Sequence, residues 1–147
     1  MIDVEKTLDK ILGKVEVKEL LWTNPNPNAD FPAQTISLAL IGYDEVEIYA
    51  RGESANRTIS SKCAVGNGGF LEATTVDEAY TATYRRDYDT TTNAVIFGNS
   101  PVKTTQGFYA IVNGANIPIK IYGIKWGGYS ITQLIKALFL KLKGGVA

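Results

Sequence analysis

The segment Asn116-Ile117-Pro118-Ile119-Lys120-Ile121-Tyr122-Gly123-Ile124-Lys125-Trp126 carries the plainest structural signal in the chain. Ile117, Ile119 and Ile121 alternate with Pro118, Lys120 and Tyr122, a period of two that predicts a β-strand with one face in a core and the other in water. Pro118 has no N–H to give to a ladder, which puts it at the strand's beginning or on an edge. Beyond Gly123 the alternation loses its phase, and Gly127-Gly128 stops it. No residue in the segment stands out as a catalyst.

Upstream, the same test finds more strands. Ile36, Leu38 and Leu40 alternate with Thr35, Ser37 and Ala39, and Val46, Ile48 and Ala50 alternate with Glu45, Glu47, Tyr49 and Arg51. Gly42-Tyr43-Asp44 between them predicts an antiparallel hairpin. Weaker strands over 57–65 and 70–73 flank Gly66-Asn67-Gly68-Gly69, which reads as a hairpin turn; it lacks the Lys-Ser/Thr of a phosphate loop. Residues 94–97 and 108–112 give two more strands, and Asn113-Gly114 is a hairpin dipeptide leading into the Ile117 strand. Thr23-Asn24-Pro25-Asn26-Pro27-Asn28 cannot be helix because of its repeated X-Pro steps, and it predicts a loop within one domain. About eight short strands spaced by Gly, Asn, Pro and Thr predict a mainly β fold, an antiparallel β-sandwich or jelly-roll-like domain with short N-terminal and C-terminal helices.

Residues 1–16 predict the N-terminal helix, with Val4, Leu8, Ile11 and Val15 forming an apolar seam for docking or oligomerisation. Residues 17–127 are the β-sandwich domain, and 128–147 an amphipathic C-terminal helix. There, Ile131, Leu134, Ile135, Leu138, Phe139 and Leu142 follow three-four spacing behind an N-cap at Ser130. At about 14 residues, or roughly 21 Å, with Lys136 in its middle, that helix is too short and interrupted to span a bilayer. It reads as docked on its own sheet or a neighbouring subunit, with an interfacial anchor as the alternative.

Composition narrows the chemistry. The 147 residues suit one domain, and 15 acidic against 15 basic side chains leave no charge to draw nucleic acid. With no His and a single Cys, Cys63, the chain lacks the commonest general base and the usual zinc ligands, so no catalytic residue, metal or cofactor is predicted. Glu45 and Glu47 share a strand face, but two like charges on an exposed face read as solvated surface. The first ten residues are charged where a secretory leader would be apolar, which predicts synthesis in a cytoplasm.

Surface aromatics are what remains. Tyr80, Tyr84, Arg86 and Tyr88 alternate along one strand face, which would align flat rings and a fork-shaped cation for ligand or partner contact. The alternative is that these tyrosines pack in the core with their hydroxyls at its rim.

Leu21-Trp22-Thr23-Asn24-Pro25-Asn26-Pro27, Phe31-Pro32-Ala33-Gln34-Thr35-Ile36-Ser37-Leu38, Gly42-Tyr43-Asp44 and Ile117-Pro118-Ile119-Lys120-Ile121-Tyr122-Gly123-Ile124-Lys125 resemble a family of small domains in bacteriophage and prophage structural proteins of tails, baseplates, heads and fibres. The resemblance covers residues 21–126. It implies a non-enzymatic virion component made in a bacterial cytoplasm, assembled as a homo-oligomer with a trimer favoured. It also implies other virion proteins as partners and a contribution to attachment at a host cell-surface glycan. The family brings no catalytic residues. The alternative is a carbohydrate-binding module of a bacterial protein.

Overall fold

The computed structural model describes residues 16–54 and 56–126, together with Ile135, Leu138, Phe139 and Leu142. Ten strands lie among the described residues: β1 Glu16–Thr23, β2 Gln34–Ser37, β3 Glu45–Arg51, β4 Thr58–Ala64, β5 Gly68–Val76, β6 Thr81–Thr90, β7 Ala94–Phe97, β8 Pro101–Thr104, β9 Tyr109–Ile111 and β10 Ile117–Trp126. They form two sheets. One has the order β1-β10-β3-β4; in the other, β6 pairs with β5, β7 and β8, with β2 beyond β7 and β9 beyond β8. The paired registers are all antiparallel.

The chain divides into two units, Lys18–Ile124 and a second made of Met1–Val17 with Lys125–Ala147. In the second unit, Trp126 ends β10 with 38% exposure, and Ile135, Leu138, Phe139 and Leu142 are helical positions with exposed side chains. Val4, Leu8, Ile11, Val15, Ile131 and Leu134, and with them the proposed terminal helices as elements, lie outside the described residues.

Within the first unit, both sheets send side chains into one hydrophobic cluster. Val46, Ile48 and Ala50 of β3 and Ile117 and Ile121 of β10 meet Leu71 of β5, Tyr88 of β6 and Val95 and Phe97 of β7. Phe31 joins this cluster from the loop between β1 and β2, edge-on to Phe97 at 5.3 Å and to Trp22 at 6.4 Å. The loop is tied to β10 by Asn24, whose backbone N–H reaches Ile119 O and whose side-chain amide reaches Pro118 O, both at 2.8 Å.

Three expected hairpins are instead crossovers between the sheets. β2 pairs with β7, and β3 pairs with β4 and β10, so Gly42-Tyr43-Asp44 joins two sheets. Leu38 and Leu40 continue past β2 by hydrogen bonding to Asn93 O and Thr92 O, and Asp44 N–H then reaches across to Ile124 O. Likewise β4 belongs with β3 while β5 pairs with β6, and β9 pairs with β8 while β10 pairs with β3. Alternation identifies the buried face of β3, Val46, Ile48 and Ala50, but it carries no information about which strand lies alongside.

The Ile117 strand departs from simple alternation in an instructive way. Pro118 pairs with Ala50 and Lys120 with Tyr49, leaving Ile119 as an extra residue in a bulge. The bulge follows from Pro118, which cannot donate to the ladder. β10 lies between β1 and β3, so Pro118 is accommodated near the strand's start. Past the bulge, Ile121 and Gly123 face inward opposite Ile48 and Val46, while Lys120 and Tyr122 face outward.

Candidate functional site

The strand that carries the predicted tyrosine face is β6, the axis of its sheet. β5 pairs along most of one side of it, while β7 and β8 share the other. Tyr88 faces Phe97 and Tyr84 faces Val102, so four residues of β6 span five on the opposite side. Arg86 stands at that mismatch. Its side chain is 0% exposed. Nε donates to Asn116 O at 2.9 Å, Nη1 to Gly98 O at 2.6 Å, and Nη2 to Ala115 O at 3.1 Å, with Asn113 O farther off at 3.5 Å. The guanidinium also lies over the Phe31 ring at 5.3 Å. Burial lowers its pKa to about 10, which still leaves it charged at neutral pH, balanced by carbonyl dipoles. Arg86 therefore joins the β7–β8 break to the 113–116 crossover.

Tyr88 is also interior at 2% exposure, and its hydroxyl shares a 2.7 Å hydrogen bond with Ser61 Oγ of the facing sheet. Burial pushes its phenol above the ordinary range. These placements take Arg86 and Tyr88 off any ligand-contacting surface; the opposite face of β6, with Arg85, Asp87 and Asp89, is the more polar and is the one that stays wet. Tyr84 is half-buried. Tyr80 precedes β6 and lines a notch with Thr104, Gln106 and Phe108.

A different pair of aromatics faces outward together. On the outer face of the four-stranded sheet, Tyr49 of β3 and Tyr122 of β10 meet edge to face, centroids 5.4 Å apart. Lys18 of β1 reaches across both, its Nζ 4.6 Å from each ring centroid and 2.8 Å from Tyr49 Oη. The same ammonium makes a short ion pair with Glu47, and Lys62 stands 3.6 Å from that carboxylate. The hydrogen bonds to Glu47 and Tyr49 hold the Lys18 pKa above its ordinary value despite burial. At Glu47, burial acts to raise the pKa, but the hydrogen bonds from Lys18 and Tyr49 and the nearby lysine charges leave it below the usual carboxylate value. Of the two glutamates on this strand face, Glu47 is thus held ionised in an ion pair with Lys18.

Beside these rings runs a groove of about 470 Å³ whose lining includes Tyr49, Arg51, Thr58, Ile119, Lys120, Tyr122, Pro27 and Asn28. Arg51 Nη1 donates to Asn28 Oδ1 at 2.8 Å. The strand faces of Tyr49, Arg51, Lys120 and Tyr122 were readable as outward. Their convergence required the β3–β10 pairing, which joins segments some seventy residues apart and leaves no local signal.

Among the described residues, no group of three or more His, Cys, Asp and Glu side chains could hold a metal ion, and no helix is long and apolar enough to cross a membrane. Cys63 is half-buried, its thiol held above its ordinary pKa chiefly by burial. Comparison with protein-family models, curated proteins and solved structures finds no match to this chain.

Proposed function

We propose that this chain is a non-enzymatic bacteriophage virion structural subunit: a β-sandwich or jelly-roll-like domain of a fibre, baseplate or capsid accessory. In this reading it works as a homo-oligomer, with a trimer favoured, beside other virion proteins, and contributes to attachment at a host-surface glycan. The shared core of the two sheets supports the sandwich, and the resemblance over residues 21–126 supports the virion setting. One observation carries the assembly reading. Phe108, Tyr109 and Ile111 on and beside the short strand β9 are 60%, 57% and 48% exposed, next to Tyr80 at 39%. Among the described residues β9 has a strand neighbour on one side only, β8. A contiguous set of large apolar side chains on an edge strand is what a subunit interface presents and what a monomer normally avoids.

Light scattering on the full chain tests this. An oligomer is expected, falling to monomer when Tyr109→Lys and Ile111→Lys are combined, with the circular dichroism of the fold retained. A wild-type chain that stays monomeric at about 100 μM, a concentration at which weak assemblies still form, overturns it. The second reading, a carbohydrate-binding module of a bacterial protein, is favoured by the Tyr49–Tyr122 groove; a monomer that binds sugar would select it.

A further inference from the structure

We infer that the groove beside Tyr49 and Tyr122 is a subsite for an acidic sugar, a pyranose ring bearing a carboxylate. The assignment rests on the attachment part of the reading above, and moves its contact away from the Tyr80–Tyr88 strand to the opposite sheet.

The walls and the charge of the groove select this ligand. Two tyrosine rings set edge to face give apolar surface for the C–H face of a sugar. Lys18, fixed by Glu47 and by Tyr49 Oη, holds the rings in place before any ligand arrives. Such preorganisation reduces the entropy lost on binding. The groove's cations are Arg51 and Lys120, and no carboxylate side chain is among its lining residues. Among the described hydrogen bonds, the Arg51 guanidinium gives one N–H, to Asn28. The remaining donors suit a carboxylate, which a guanidinium can bind through two parallel hydrogen bonds. At about 470 Å³ the groove is in the range of small-molecule sites.

Other occupants fit less well. A phosphate would gain nothing from the ring wall and would seek backbone N–H groups, which a sheet face commits to its ladders. An acidic peptide pairing as an added strand would need a sheet edge, whereas Tyr49 and Tyr122 lie on adjacent central strands, β3 and β10. A neutral sugar would use the rings but leave both cations without a counterpart.

The test is calorimetric titration of the full chain with sialyllactose and with galacturonate oligosaccharides, each against its neutral counterpart, lactose or a galactose oligosaccharide. At least one acidic probe should bind about tenfold or more tightly than its counterpart, and Arg51→Met should remove that preference. Tyr122→Ala should weaken acidic and neutral probes together, by about tenfold where binding is measurable. Equal affinity for both sugar types, no binding at ~10 mM probe, or acid-selective binding that survives Arg51→Met would overturn the assignment. Light scattering on the same samples separates the two claims. An oligomer that ignores all probes sinks the subsite and spares the assembly reading, while a monomer that binds acidic sugar does the reverse.

Discussion

β3 carries Glu45, Glu47, Tyr49 and Arg51 on one face and Val46, Ile48 and Ala50 on the other; β6 carries Ala82, Tyr84, Arg86, Tyr88 and Thr90 on one face and Thr83, Arg85, Asp87 and Asp89 on the other. Each strand thus offers a face of tyrosine and arginine. In β3 that face is outside, and in β6 it is inside. What decides is the alternative offered by the other face. β3 can bury three aliphatic side chains, so its aromatics and charges are left to water. β6 has nothing apolar on its second face, and burying two aspartates would cost far more than burying one arginine surrounded by carbonyl oxygens. An amphipathic face is placed by the less polar of two choices, and its own composition is only half of the question.

The comparison is broken most directly at Arg86. Replacing it by Met leaves the buried carbonyls of Asn116 and Ala115, and the partly buried one of Gly98, without their donor. We expect a loss of about 3 kcal/mol or more in urea unfolding, since each stranded buried polar group costs of order 1–3 kcal/mol. Arg85→Met is the control one residue away: Arg85 is outside, paired with Asp87 at 2.8 Å and lying over Phe70, and its replacement should leave the midpoint nearly unmoved. Equal effects at the two positions would refute the account of β6.

Gly69 gives the next largest effect. It pairs with Tyr88, and a Cβ built on it would stand 2.5 Å from the Tyr88 hydroxyl and 2.7 Å from the ring carbon beneath it. Gly69→Ala should therefore cost about 1–3 kcal/mol through overpacking. Combined with Tyr88→Leu, the cost should fall short of the sum of the two single changes, because the clash is gone. Strict additivity in that double-mutant cycle would mean the glycine is needed for some other reason. The glycine run 66–69 is thereby explained: Gly66 turns the chain at φ 94°, while Gly68 and Gly69 make room for the residues they pair with.

This also marks where the sequence was readable. Val46 and Ile48 against Glu45 and Glu47 announced their faces because burial follows local alternation. Strand partners did not announce themselves. The glycine- and asparagine-rich breaks at 42–44, 66–69 and 113–114, which looked like hairpin turns, carry the chain between sheets. Among the described residues, hairpins turn after β3, where Gly52 N–H reaches Arg57 O, at Asp77–Tyr80, where Asp77 N–H reaches Tyr80 O, at Thr91–Ala94, and at Thr104–Phe108. β8, Pro101-Val102-Lys103-Thr104, has one buried side chain and so too little pattern to be noticed. The Tyr49–Tyr122 pair was invisible for the same reason, since it exists only once β10 is laid beside β3.

The smallest effect concerns the outer face itself. Lys18 spans β10 to reach Glu47, so the pair clips β1 to β3 over the intervening strand. Glu47 is held below its ordinary pKa, so its contribution to stability is present above the unfolded carboxylate value of about 4.3 and is lost as pH falls through the lower folded value. Lys18 is held above its ordinary value, so its share is complete below about 10.4 and is lost only as pH rises through the raised folded value. The clip should thus be indifferent to pH between about 5 and 10 and weaken only outside those limits. Glu47→Gln should lower stability at pH 7 by no more than about 1 kcal/mol, because the ion pair is partly solvated. The same variant should flatten the acid limb of the stability curve below about pH 4 relative to wild type, since the group that titrates there is missing. Parallel curves for the two proteins across that limb would mean that Lys18 and Glu47 meet without stabilising the sheet, and that the rings of the groove are held by packing alone.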